Sequence, residues 1–265
     1  MPPKITLLCC TRSRLPNLKR MVTSFISTVG CDFEIVVGFD DDFTSYNACP
    51  DYPRVHKTLL HPRHYYVRGA NALYHYAKKN IKDFGYFVLT GDDTEFIVTG
   101  WGPALIAAYE RDYPEGGVVD LVEPNACAHF FSHKDFYDSH FDGLLWPPEY
   151  TMYNSDTEMV CRLRQMGRLS HMKVNVSPTL QKAVMIHHLT KDAMRDELSY
   201  WSYWDKLVYG IRAKQHGWPL AQSLDAVNDL EQLSAEGRAW EQHLAESDAR
   251  RRQPEPAGDA PAVPE

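Results

Sequence analysis

Two adjacent carboxylates, Asp92 and Asp93, follow directly on a short apolar run, Tyr86 to Thr90, fenced by Gly85 and Gly91. A run that short, with β-branched and aromatic members, suits a buried strand better than a helix. In an open α/β sheet, ligands collect at the carboxyl ends of the strands. Paired carboxylates there suit a hard divalent cation, which prefers oxygen donors and carries phosphates with it. An isolated Asp-Asp pair more often marks only a solvated loop, so the rest of the chain has to decide.

The first forty residues constrain the fold most strongly in the same direction. Lys4 to Thr11 reads as a strand that runs into the polar turn Arg12-Ser13-Arg14. From Pro16 the apolar positions Leu18, Met21, Val22, Phe25 and Ile26 recur at helical spacing, and Gly30 stops the helix. Phe33 to Phe39 is a second strand, ending in Asp40-Asp41-Asp42. Strand, helix, strand at this spacing gives a right-handed parallel crossover. Arg54 to Leu60 is a weaker third strand ended by Pro62, and a helix is expected to open near Gly69 and run through Lys79.

At 265 residues the chain suffices for one large α/β domain or two small ones, and its 44% apolar content supplies a sizeable core. No window approaches eighteen uninterrupted apolar residues, so no membrane span is expected. The apolar run Ile5 to Cys10 is too short for a secretory signal. The six cysteines are scattered without a C-x-x-C spacing, which argues against a zinc cluster and for a reduced, cytoplasmic setting. A net charge of −7 argues against indiscriminate nucleic-acid binding. It leaves room for a local basic groove, and His56 to Arg68 holds Lys57, Arg63, Arg68 and three histidines among neutral residues.

The second half changes character. Trp101 to Tyr109 reads as a helix, Gly116 to Val122 as a strand, and Phe130-Phe131 as a short extended segment. Trp146-Pro147-Pro148 is a turn, and Asp156 through Met166 a helix closed by Gly167. Trp101 and Trp146 read as core, with an aromatic platform for a ligand as the alternative. His187-His188 ends an apolar run and is expected at the end of a strand. An aromatic helical stretch covers Leu198 to Ile211, and an amphipathic helix Leu224 to Leu244. After Arg250-Arg251-Arg252 the composition turns to Pro, Ala, Glu and Asp, which suits a disordered tail over 250–265.

With these motifs in order, the chain resembles the GT-A glycosyltransferases, especially their family 2-like, inverting group. Thr11-Arg12-Ser13-Arg14 resembles the T-R-N-R-like turn after the first strand, and Glu34 to Asp40 the E-I-I-V-V-D-D strand. Gly91-Asp92-Asp93 is similar to a T-D-D variant of the D-x-D metal motif, and Ser155 to Arg162 to the E-D-x-x-L-x-x-R motif. The similarity spans roughly residues 4 to 190. Two positions depart from it. Thr90 stands where many members carry the first aspartate, and Ser155 where an acid precedes the catalytic one, with Glu158 as the nearest replacement charge.

The resemblance implies a mixed, mostly parallel α/β sheet flanked by helices in a GT-A domain over 1–222. Its nucleotide half would cover about 1–125 and its acceptor half about 126–222, followed by a C-terminal helix over 223–249. It also implies a divalent cation, Mn2+ or Mg2+, bound by Asp93 and completed by His187 or His188. Asp92 would face the ribose or sugar, Asp40 would accept from the uracil N3 proton, and Thr11 and Arg12 would line the nucleotide pocket. Arg68 would meet the base or a phosphate. Asp156 would be the general base, kept ionised by the start of its helix, although Asp there is equally a favoured cap.

The donor implied is a nucleoside diphosphate sugar, a UDP-sugar by the Asp40 contact. Soluble acceptors of such enzymes include proteins, small molecules and hydroxymethylated pyrimidines in DNA. Stand-alone enzymes resembling this chain occur in bacteriophage genomes, which would place it in the host cytoplasm. A rival reading is a non-catalytic nucleotide- or DNA-binding protein of the same fold. A nucleotidyltransferase would normally show a glycine-rich, lysine-bearing loop after the first strand, and Thr11 to Arg14 has no glycine.

Overall fold

The computed structural model describes residues 3–97, 99–121, 127–152, 155–171, 205, 208–210 and 212–218. The described residues form seven strands and six helices. They are β1 (Lys4–Thr11), α1 (Leu15–Thr28), β2 (Asp32–Asp40), α2 (Phe43–Ala48), β3 (Val55–Leu60), α3 (Tyr65–Asn80) and β4 (Tyr86–Gly91). Then come α4 (Trp101–Asp112), β5 (Val118–Asp120), β6 (Phe130–His133), α5 (Lys134–His140), α6 (Ser155–Gln165) and β7 (Leu169–His171). Residues 1–209 make one compact unit and 210–265 another. In the second, the described residues include a helical stretch ending before Gly217. The expected His187-His188 strand, the helix over 223–249 and the tail over 250–265 lie outside the described residues.

One sheet runs in the order β3-β2-β1-β4-β6-β5-β7. Among these strands β6 alone is antiparallel to its neighbours, so the sheet is mixed and mostly parallel, as the resemblance implies. Leu18, Met21, Val22 and Phe25 of α1 and Trp101, Leu105, Ile106 and Tyr109 of α4 cover one face. Beneath them lie the alternate side chains Ile5, Leu7 and Cys9 of β1 and Ile35, Val37 and Phe39 of β2. On the other face Tyr74 of α3 meets Phe87 at 5.3 Å, and Tyr137 of α5 stacks on Phe130 at 5.7 Å. Gly38 lets α3 come close, since a Cβ there would lie 2.7 Å from Leu60 and 2.8 Å from Leu73. Trp101 and Trp146 are both buried core.

Three departures from the sequence pattern have physical causes. The six-residue helix α2 is too short to show a period, and Asp42 caps it by accepting from the Ser45 amide at 3.0 Å. Helix α3 opens at Tyr65, four residues before Gly69, because its first amides are satisfied from distant parts of the chain. Helix α5, seven residues that follow β6 without a break, is likewise too short to show a period, and the sequence pattern gives no reading of 134–140.

Asn71 ties the two halves of this unit together. Its amide donates to the Trp146 carbonyl at 2.9 Å, and its carbonyl accepts from the Leu145 and Trp146 amides at 2.8 and 3.0 Å. Asn71→Leu would leave three buried backbone groups without that partner. We expect a loss of about 3 kcal/mol in a urea titration; an unchanged midpoint would show that the 145–146 segment finds other partners.

Candidate active site

The parallel strands end level with one another. Thr11 of β1 lies beside Phe39 of β2, Cys10 beside Gly91 of β4, and Asp40 beside Leu60 of β3. The polar residues that follow each strand therefore share one edge.

At the end of β4, Asp92 accepts from the Thr11 hydroxyl at 2.6 Å and from the Arg14 guanidinium at 3.3 Å. Burial raises its carboxyl to about 6, Thr11 and Arg14 pull it back, and Asp93 pushes it up. Asp93 stands 4.0 Å from Arg14 and keeps about a fifth of its side-chain surface open, at 21%. Its Oδ1 lies 2.6 Å from where a Cβ on Gly91 would sit, so the glycine leaves the space into which this carboxylate folds. Thr90 is buried and bonds to Thr94 at 3.0 Å, so its hydroxyl serves the turn and not the edge.

At the end of β2, Asp40 accepts from the His64 amide at 2.6 Å and the Tyr65 amide at 3.1 Å. Burial raises its carboxyl, and His64, Arg63, Tyr65 and Arg12 lower it by less. Asp40 thus closes the start of α3. Asp42 accepts from the Ser13 amide at 2.7 Å, fixing the turn between Arg12 and Arg14. Arg12 is near enough to lower both carboxyls.

Asp156 opens α6 and accepts from the Thr157 amide at 2.7 Å. The helix start was expected to keep it ionised. Burial raises its carboxyl from the ordinary value, and the two Thr157 groups and its own amide lower it by less. Glu158 does not replace the acid missing at Ser155. It is fully buried, accepting from the Tyr150 hydroxyl at 2.6 Å and pairing with Arg162 at 2.5 Å.

Tyr66 lies in the first turn of α3. Its hydroxyl donates to the Ala128 carbonyl at 2.9 Å. Burial first, and then Cys10, Cys9, Asp156 and Asp93, raise the phenol well above its usual range. Asp93 and Asp156 are thus both near enough to add to the rise of this phenol. The sequence reading missed Tyr66, for nothing local sets it apart from Tyr65 before it. It also missed Asp120, buried at the end of β5, whose signal was a second apolar strand ending in an acid.

Arg68 lies exposed on the first turn of α3, and no described bond brings it to the acidic groups. The 56–68 segment is not an open basic groove. Lys57 pairs with Asp51 at 2.6 Å, His56 with Glu34 at 2.9 Å, and His61 with Asp41 at 2.6 Å. Arg63 lies 3.8 Å from Asp40 and over the Tyr65 ring at 4.1 Å. His187 and His188 are outside the described residues, among which no three His, Cys, Asp or Glu side chains gather as a closed metal site. Among the described residues no helix is long and apolar enough to cross a membrane.

No family model matches this sequence, and no curated protein does. Solved structures do. The mannosyltransferase PcManGT from Pyrobaculum calidifontis, in complex with GDP-Man and Mn2+, matches at TM-score 0.54 and 14% identity, over 80% of this chain and 65% of that one. S. aureus TarS 1-349 in complex with UDP-GlcNAc matches at 0.51 and 9%, over 86% and 77%. S. aureus TarS matches at 0.51 and 10%, over 86% and 46%. The chain has the GT-A fold. It spans less than two thirds of the mannosyltransferase's length and less than half of TarS. At such identities the likeness is one of fold, and what a GT-A sheet does here rests on its own residues.

Asp42 gives a direct test of how this GT-A edge is held. Burial raises its carboxyl, but the bonds from Ser45 and Ser13 and the charge of Arg12 outweigh that, and the net shift is downward. A carboxyl depressed in the folded state stabilises above its unfolded pKa and loses that stabilisation as pH falls through the folded value. Asp42→Ala should cost about 1–2 kcal/mol at neutral pH. The gap to wild type in denaturant titrations should shrink below about pH 4, and a gap independent of pH would count against the ionised cap.

Proposed function

We propose that the chain is a metal-dependent glycosyltransferase that moves a sugar from a nucleoside diphosphate sugar to a hydroxyl acceptor. The observation that carries this is the shared edge at the level ends of β1, β2 and β4, where Asp92 is bonded to Thr11 and Asp93 keeps part of its surface open, with Asp93 and Asp156 both near enough to Tyr66 to add to the rise of its phenol. The likeness of fold to proteins solved with GDP-Man and Mn2+ and with UDP-GlcNAc supports it.

The donor set fits a divalent cation held jointly with phosphates. Asp93 offers a part-open carboxylate at the end of β4, 4.0 Å from Arg14, and Asp92 beside it binds Thr11 and Arg14. One or two carboxylates plus substrate phosphates suit Mg2+ or Mn2+ better than a closed protein cage. We assign Asp93 as the ligand, with His187 or His188 as candidates to complete the shell. When bound, the cation would offset the charge that develops on the departing diphosphate.

Thr11, Arg12 and Asp92 would line the nucleotide side, and Arg14 would add a positive charge beside it. Asp40 can face uracil only with lone pairs left over from the start of α3. Arg68 remains a candidate phosphate contact from its exposed position. Asp156 would take the acceptor hydroxyl proton as that oxygen bonds to the anomeric carbon and the bond from that carbon to phosphate breaks. This single displacement inverts the anomeric centre. A carboxyl raised by burial is the stronger base once ionised.

Neither the acceptor nor a phage origin has a feature of its own here. DNA carrying hydroxymethylated pyrimidines stays among the acceptors to assay, although the 56–68 cations are answered from within the chain. The rival reading, a GT-A protein that binds nucleotide or DNA without turnover, gains from Arg14. Its guanidinium already serves the acidic pair as a counter-ion.

Calorimetric titration with UDP, with and without Mn2+, separates the two. The enzyme reading expects Mn2+-dependent binding and slow hydrolysis of a UDP-sugar, whereas binding indifferent to Mn2+ with no hydrolysis favours the rival. Asp93→Asn should lose metal-dependent turnover by about 10²-fold or more while keeping its fold. Asp156→Asn should bind UDP-sugar as wild type does and lose transfer. Because burial raises Asp156, transfer should fall on acidification from a higher pH than an exposed aspartate would give. A flat profile across that range would remove Asp156 as the base.

A further inference from the structure

We infer that His129 is a positioning residue for the Gly91-Asp92-Asp93 turn, acting through a hydrogen-bond acceptor on its ring. The inference builds on the proposed role of Asp93 but stands on the bonding of the turn. Strand β6 pairs with β4 only as far as Phe130 beside Leu89. Beyond that point the Gly91 amide has no β6 backbone partner. The imidazole of His129 supplies one, with Nδ1 3.2 Å from the Gly91 amide nitrogen.

A backbone amide can only donate, so Nδ1 must carry a lone pair and the neutral ring holds its proton on Nε2. That arrangement makes His129 a poor metal ligand and a good clamp. The ring is buried, and its own backbone is held from the far side, where the His129 carbonyl accepts from the Leu121 amide at 2.9 Å. The other end of the turn is closed by Thr94, whose hydroxyl donates to the Gly91 carbonyl at 2.9 Å and accepts from Thr90 at 3.0 Å. Both polar groups of Gly91 are thus fixed by side chains, and the carboxylate of Asp93 folds back over the same glycine.

The test separates acceptor from bulk. His129→Asn keeps an acceptor at the δ position, while His129→Leu fills the space without one. Hydrogen exchange over 86–96 in metal-free protein should be about tenfold faster in His129→Leu and return to within about threefold of wild type in His129→Asn. Mn2+-dependent UDP binding should weaken and recover in parallel. Thr94→Val, which removes the donor at the other end, should reproduce the leucine variant with little change in Tm, and it guards against a His129→Leu protein that fails to fold. Unchanged exchange in both variants, or asparagine no better than leucine, would overturn the inference. If wild type binds UDP without regard to Mn2+ but exchange still follows the acceptor, the clamp stands and the metal reading of Asp93 falls.

Discussion

The amides that open α3 have no partner within their own helix, and meeting that need joins the parts of the site. Asp40, at the end of β2, takes the His64 and Tyr65 amides. The Tyr66 amide donates to the Met152 sulfur at 3.3 Å, and the Val67 amide to the Thr151 carbonyl at 3.1 Å. The 151–152 backbone is held in turn by Asp205, fully buried, which accepts from both of its amides at 2.9 and 2.7 Å. One helix start thereby binds a strand end, a loop and a residue more than fifty positions further on. Tyr66, near enough to Asp93 and Asp156 for both to raise its phenol, is fixed by the same bonds.

Burial and hydrogen bonding compete at each carboxylate of the edge, and the outcome differs from one to the next. Asp42 ends below its ordinary value because donors surround it. Asp92 ends at about 6, since one hydroxyl and one guanidinium do not offset its burial. Asp156 ends raised as well, with Thr157 supplying the opposing bonds. At Asp156 burial outweighs the bonds at the helix start, so its carboxyl lies above its ordinary value. The direction of the shift does not by itself sort their roles, since Asp40 and Asp92 are raised and still hold the start of α3 and the turn after β4.

What could be read from the sequence was what local pattern determines. The parallel unit β1-α1-β2 follows from alternating and helical periods, and the acidic turn after β4 from an apolar run that ends in carboxylates. Assignments that needed partners from afar were read less well. Asp40 was legible as an acid at a strand end, but its service to α3 depends on a helix that begins some twenty-five residues later. Glu158 looked like a replacement charge because its burial against Tyr150 leaves no mark in the sequence. The histidines of the 56–68 segment suggested a basic surface, yet their partners Glu34 and Asp41 lie on or just after the neighbouring strand.

His129 belongs to the same class of hidden residues, and it explains why a site forms at this place in the sheet. A strand that outlasts its neighbour leaves backbone groups that must be satisfied or exposed to water. At β4 the amide and carbonyl of Gly91 are met by side chains from two directions, His129 and Thr94, with Thr90 donating to the Thr94 hydroxyl. Asp92 is drawn toward Thr11 across the β1 side, while Asp93 is left toward the open edge. The end of an antiparallel pairing thus sorts two chemically identical neighbours into a buried carboxylate that braces the turn and an accessible one that can meet a ligand.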